Sequence, residues 1–341
     1  MARWHPLFIP MLLFVGLFGR PAPAPAEVLY YITDLGTFDG HGGSFAYAIN
    51  ELAQVTGEAQ GNVFLWEDGV MTDLGISTWG YDINDSTQIV GILTGGPQQA
   101  FLWDDGDVTI LGTFGGLQAT AYGINDGGQI VGWAHNPNND RRAYIYSDGA
   151  MTDLGTFGGA QSWAFGVNNA GQVVGNAETE VTPPGGLPIR RAFLYADGTM
   201  TEIAGDGSEA RDINEAGQIV GSYIPGGFLW EDGELTDLGD LAWPRAINNL
   251  GQVVGTAGYG GYNTAYIWEA GVATDLNDLI APDSGWADLQ QARDINDAGQ
   301  VVGWGELDDG ARHAFLLTPI PEPAQLYLLA IGAVYVMRRR R

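Results

Sequence analysis

The sequence predicts an all-β fold, a seven-bladed β-propeller of four-stranded blades, and three observations predict it. The first is a motif of the form of Ala121 to Trp133, AYGINDGGQIVGW, that recurs seven times. Its Asn falls at Asn50, Asn84, Asn125, Asn168, Asn214, Asn248 and Asn296, each with Ile or Val before it and Gly seven residues later. Successive Asn positions are 34, 41, 43, 46, 34 and 48 residues apart, and self-similarity at about 40 residues marks a solenoid, a propeller or an array. The second is that each repeat holds four short apolar pieces. The third is that one fourth piece is spare at the start of the array and one is missing at its end.

In chain order within a repeat, the first piece ends at the Asn, as in Ser162 to Asn168, where Trp163, Phe165 and Val167 alternate with Ala164 and Gly166. The second is Gln-Val-Val-Gly, as in Gln172 to Gly175, and the third is Phe-Leu-Trp or a variant, as at Phe64 to Trp66 and Tyr144 to Tyr146. The fourth is Met-Thr-Asp-Leu-Gly, as at Met71 to Gly75. Alternation with period two, enrichment in β-branched and aromatic residues, and Gly or Asp at every junction make all four strands. After the Asn, segments such as Asp126-Gly127-Gly128 suit a three-residue hairpin loop with Gly in the left-handed region, and the Asn side chain suits a turn cap. Repeats one and two carry Ala53 and Thr87 in place of that Gly, so their hairpins are expected to be looser. Asp-Gly at Asp68, Asp105, Asp148, Asp197 and Asp232 predicts a tight hairpin between strands three and four.

The spare piece is Ile32 to Gly36, and the last repeat stops at its third strand, Phe315 to Leu317. If the N-terminal strand completes the last sheet, the ring closes and no long edge stays exposed. An open solenoid would need capping units, and neither end looks like one.

The two ends divide the chain into residues 1–26, 27–319 and 320–341. A charged start (Arg3, His5), an apolar run from Leu7 to Phe18 and small residues up to Ala26 describe a secretory signal peptide, which implies processing by signal peptidase. At the other end, Pro321-Glu322-Pro323 precedes an apolar segment, Leu326 to Met337, and the cluster Arg338, Arg339, Arg340 and Arg341. As a helix, that segment is short for a bilayer core, and the Arg block would hold its end in the cytoplasm. A transient membrane association is expected. This three-part tail resembles the PEP-CTERM sorting signal of bacteria that make exopolysaccharide. The resemblance implies removal of the apolar and basic part by an exosortase and a final address at the cell surface or in the extracellular matrix.

Residues 27–319 hold 40 acids against 8 arginines, a formal charge of −32. Such a surface repels phosphate backbones and argues against nucleic-acid binding. Cys is absent, so there is no disulfide, thiolate metal site or Cys nucleophile. Acidic loops such as Asp104 to Asp107 lack the alternating ligands of a dedicated calcium site, and His41, His135 and His313 lie in different repeats without metal-ligand spacing. No metal, cofactor or catalytic residue is therefore assigned. Asp82, Asp212 and Asp294 share one position, two before the repeat Asn, and support a second reading, a propeller glycosidase or lyase. A purely structural matrix protein is a third.

The pattern that favours binding lies three residues before the Asn. Tyr47, Tyr81, Tyr122 and Phe165 stand there in repeats one to four, and Arg211, Arg245 and Arg293 in repeats five to seven. Five residues before the Asn come Trp79, Trp163 and Trp243 in repeats two, four and six. With the first strand innermost, an aromatic arc and a basic arc would face each other near the mouth of the axial channel, bordered by three Thr-Phe-x-Gly loops beginning at Thr37, Thr113 and Thr156. Aromatic faces beside Arg suit an acidic polysaccharide such as an exopolysaccharide; the alternative is packing between blades. The motifs Ala-x-x-Ile-Asn, Gly-Gln-Val-Val-Gly, Ala-Phe-Leu-Trp and Asp-Leu-Gly resemble the HAF repeats, a family of extracellular bacterial repeats, over about residues 29 to 318. That resemblance implies secretion and a repeat fold and carries over no catalytic residue.

Overall fold

Among the described residues, alternating apolar residues and Gly- or Asp-bearing turns produce 28 strands, numbered β1 to β28 in chain order. The computed structural model describes residues 29–181, 186–224, 226–239, 241, 243–258 and 263–321. The expected signal peptide, and the sorting segment from Glu322 onward, lie outside the described residues. The strands form seven four-stranded antiparallel sheets, a seven-bladed β-propeller. Six blades take four consecutive strands. The seventh has the order β1-β28-β27-β26, so β1 (Tyr30–Gly36) covers the outer edge of β28 (Arg312–Pro319), with β27 (Val301–Leu307) and β26 (Trp286–Ile295) inside it.

The closing strand is held by more than its ladder. It runs from Tyr30 opposite Pro319 to Gly36 opposite Ala314. Tyr30 and Leu35 are buried in two different apolar clusters, one shared with blade six and one with blade one. Both carboxylate oxygens of Asp34 lie 2.9 Å from Nδ1 of His313 across the seam. Elsewhere, too, the core sits between blades: Val90 and Ala100 of blade two pack with Ala121, Ile130 and Tyr144 of blade three.

A bulge in every innermost strand breaks the simple alternation. The pairing with the second strand slips by one residue at Tyr47, Tyr81, Tyr122, Phe165, Arg211, Arg245 and Arg293 in turn. A bulge re-aims the extra side chain, and these seven positions are the two arcs. The repeated Gly of the second strand explains why the bulge fits. A Cβ on Gly57, Gly91, Gly132, Gly175, Gly221, Gly255 or Gly303 would stand 1.9 to 2.3 Å from a carbonyl oxygen of the bulged strand. The same Gly pairs on its other side with the aromatic residue of the third strand, as Gly132 does with Tyr144 and Gly57 with Phe64.

The seven Asn form a closed ring. Each donates one Nδ2 hydrogen to the backbone carbonyl of the next Asn at 2.9 to 3.1 Å, from Asn50 to Asn84 and so on until Asn296 donates to Asn50. The other hydrogen goes to the Gln four residues on, as from Asn125 to Gln129 at 2.8 Å, while Oδ1 accepts from that Gln's N–H at 2.9 Å. The expected turn cap is present, and it also joins neighbouring blades.

One turn expectation needs adjustment. The hairpins at Ala53 and Thr87 are not looser: both residues take the left-handed conformation, φ 61° and 62°, and close the turn with the same bond to the Asn carbonyl as the Gly-bearing repeats, at 3.1 and 3.0 Å. Thr87 adds a hydroxyl bond to Gln54 at 2.9 Å, which offsets part of the conformational cost. The five Asp-Gly hairpins have both residues at positive φ, as predicted, and blade six makes the same turn with Ala270-Gly271. No turn signal in the sequence marks Ala270.

Candidate functional site

Because the innermost strands run parallel around the axis, corresponding residues form layers. The bulge turns one layer inward, and Tyr47, Tyr81, Tyr122, Phe165, Arg211, Arg245 and Arg293 line a single cavity of about 360 Å³ together with Trp79. The Asn ring closes the opposite end of the same strands. The layer is continuous: ring centroids lie 5.9 Å apart for Tyr47 and Tyr81, 5.3 Å for Tyr81 and Tyr122, and 5.4 Å for Tyr122 and Phe165. At its two ends the Arg211 guanidinium sits 4.5 Å from the Phe165 ring centre and that of Arg293 5.3 Å from Tyr47.

Among the described residues two of the three arginines of the basic arc lack an acid partner. Arg211 pairs with Glu209 of its own strand. Neither Arg245 nor Arg293 makes an ion pair there, and the Nε of each is buried without a hydrogen-bond partner. Burial, and then the charges of Arg211 and Arg293, pull the Arg245 guanidinium down to about 9. Burial likewise lowers Arg293. Among the described residues none of the three arginines forms an ion pair with Asp212, Asp294 or an acid of an adjacent blade.

The reason lies one layer deeper. Asp82 accepts from the N–H of Ile83 and from that of Ile124 in the next blade, both at 2.8 Å. Asp212 does the same with Ile213 and Ile247, and Asp294 with Ile295 and Ile49. Both oxygens of all three carboxylates are thus engaged by backbone, as bridges between blades two and three, five and six, and seven and one. All three carboxyls also line a narrower cavity of about 130 Å³ together with the seven arc residues. Desolvation nonetheless raises all three, Asp82 to about 7 and Asp212 to about 6.

A pH dependence follows, with a definite sign. A carboxyl raised in the folded state binds its proton more tightly there than in the unfolded chain, so its contribution is full below about pH 4 and is lost as pH rises through 6 to 7. At about 1.4 kcal/mol for each tenfold change in proton affinity, Asp82 and Asp212 should make the domain a few kcal/mol less stable at pH 8 than at pH 5. Urea midpoints at the two pH values measure this. The variant with Asp82, Asp212 and Asp294 all replaced by Asn should lose most of the difference, since Asp294 is raised as well, and an equal difference in that variant would assign it to the general negative charge instead.

Not every predicted site residue reaches the mouth. Trp79 does, but Trp163 is only 7% exposed and packs beneath Arg190, whose guanidinium lies 4.1 Å from its ring centre. Trp243 is 37% exposed and does not line the cavity. The Thr-Phe-x-Gly loops pack rather than border the channel, with Phe38, Phe114 and Phe157 set against inter-blade clusters. His135 stacks near Trp133, and among the described residues no group of three or more His, Asp or Glu is placed to hold a metal ion.

No protein-family model and no curated protein matches the chain. Solved structures do. The β-propeller domain of the Trilobed protease from Pyrococcus furiosus is 11% identical, over 85% of this chain and 94% of that one, with a TM-score of 0.50. A chain of the Mitotic Checkpoint Complex is 14% identical, over 90% and 99%, with a TM-score of 0.52. These likenesses show the fold alone. The Pyrococcus domain is described as having an open velcro topology, whereas here β1 closes the last blade.

Proposed function

We propose that this chain is an exported, exosortase-processed β-propeller of the cell surface or extracellular matrix. Its role is that of a non-catalytic binding module, and the axial mouth takes an acidic glycan such as an exopolysaccharide. The observation that carries this reading is the pair Arg245 and Arg293, half-buried in the mouth with each Nε buried, without acid partners among the described residues and facing a continuous wall of aromatic rings. A buried cation is costly unless it is paired, and a ligand carboxylate supplies the pair, with bidentate geometry for guanidinium. The rings supply flat apolar area for a sugar face. Export and processing are supported by the tripartite ends and by the resemblance to HAF repeats.

The test is calorimetric titration of the processed protein with oligogalacturonate and with a neutral oligosaccharide of equal length. Binding of the acidic chain should weaken steeply between low salt and 0.5 M salt, with little binding of the neutral chain. Replacing Arg211, Arg245 and Arg293 together by Gln should lower affinity about 100-fold or more, as loss of several charge-assisted contacts implies. Equal affinity for both oligosaccharides, or full binding by a folded triple variant, would remove the proposal.

A further inference from the structure

Beside the mouth, a second cavity of about 790 Å³ opens between blades four and five, on the same face of the ring. Its floor is polar and comes from both blades, with Gln161, Asn176, Glu178 and Arg190 on one side and Ser208 and Glu209 on the other. Its rim carries two apolar side chains, Leu187 and Ile224, that are 87% and 89% exposed.

We infer that this cavity is the continuation of the mouth, so that the ligand is a chain. An acidic oligosaccharide sets one anionic residue on the arginines of the axis and lays its following sugars across the seam between blades four and five. This inference rests on the binding role proposed for the mouth and extends it from a single anionic group to a polymer.

Glu209 joins the two sites. One of its carboxylate oxygens meets Arg211, which lines the mouth, and the other accepts from Nδ2 of Asn176 at 3.0 Å in the second cavity. Asn176 is 4% exposed, and its Oδ1 is buried with no hydrogen-bond partner. An unmet acceptor at this depth calls for a donor, and a sugar hydroxyl is one. Arg190 is already fixed: it lies on the Trp163 ring at 4.1 Å and 3.6 Å from Glu178. The second oxygen of Glu178 accepts from the N–H of Gln161 at 3.2 Å. A guanidinium held in this way loses little further freedom when it binds an oxygen-rich ligand. Charge in the floor is balanced locally, so each following sugar turns its hydroxyls to the cavity and its carboxylate to solvent, with Leu187 and Ile224 available to the ring's apolar face.

The experiment is a length series on the processed protein, using galacturonate monomer, trimer and hexamer at low salt, with an oligoglutamate peptide of matching length as comparison. Affinity should rise at least 30-fold from monomer to hexamer, above the roughly sixfold that extra binding registers alone supply. Arg190→Gln should cut that gain about tenfold while leaving monomer affinity unchanged. Leu187→Asp, at a position 87% exposed, should do the same. Arg245→Gln should weaken monomer and hexamer alike. No gain with length in a protein that binds the monomer would overturn the inference and leave the mouth standing. A gain that survives both cavity variants, or an equal gain with oligoglutamate, would also overturn it. No binding of any member would remove the mouth reading and the continuation together.

Discussion

Deleting the closing strand, Tyr30 to Gly36, should lower the melting temperature by ten degrees or more. Two large side chains leave the core, Tyr30 and Leu35, which are 7% and 5% exposed in separate clusters. At about 1.5–3 kcal/mol each, their loss is worth roughly 3–6 kcal/mol before the ladder to β28 and the Asp34–His313 contact are counted. The β28 edge is then left unpaired. In a domain of this size about 2 °C is lost per kcal/mol. Thermal melts of the truncated and intact domains check this, and a difference of only a degree or two would mean that the ring does not depend on its N-terminal strand.

The second large effect comes from a single methyl group. Gly132→Ala places a Cβ about 1.9 Å from the Thr120 carbonyl oxygen, with the Thr120 carbonyl carbon at 2.9 Å and the Ala121 Cα at 3.0 Å. All three obstacles are backbone, so relief requires the bulge at Tyr122 to open. The cost should exceed about 4 kcal/mol, and soluble yield should collapse. Gly149→Ala is the control, because at φ 80° with nothing within 4 Å of the added Cβ it pays only for conformation, about 1 kcal/mol. Similar melting temperatures for the two variants would contradict the close approach.

How much of this was legible in the sequence depended on whether the cause was local. Strands, hairpin positions and ring closure follow from alternation, turn chemistry and the spare piece at Ile32 to Gly36, and all three appear as expected, although the hairpins at Ala53 and Thr87 are not looser. The membership of the axial layer was also legible, because Tyr47 through Arg293 recur at one offset from the Asn. The bulge that turns them inward was not. In β14 (Gly158–Val167) the residues Trp163, Phe165 and Val167 read as one face, yet the extra residue at Phe165 breaks that face, and Trp163 is buried while Phe165 lines the channel. The repeated Gly inside the second strand was the available signal, since Gly in a strand interior marks a bulge or a close approach. The Asn ring was half legible: its turn is local, but its acceptor lies in the next blade, 34 to 48 residues away in six cases and 246 in the closing one. The cavity between blades four and five arises from parts that do not repeat, including the long connection after β15 (Val173–Thr179), and periodicity is silent about such parts.

We propose that the bulges deliver two arginines without acid partners to a binding site. The most direct measurement is the melting temperature of Arg245→Met, taken with and without oligogalacturonate at low salt. A buried cation without an acid partner does not stabilise the empty protein, and an apolar group of similar length is neutral or better in its place. The ligand-free variant should therefore melt at or above the wild type, and the rise that the ligand gives the wild type should be absent. A variant that melts several degrees lower when empty, and still gains the full rise with ligand, would make Arg245 a structural residue and contradict the account.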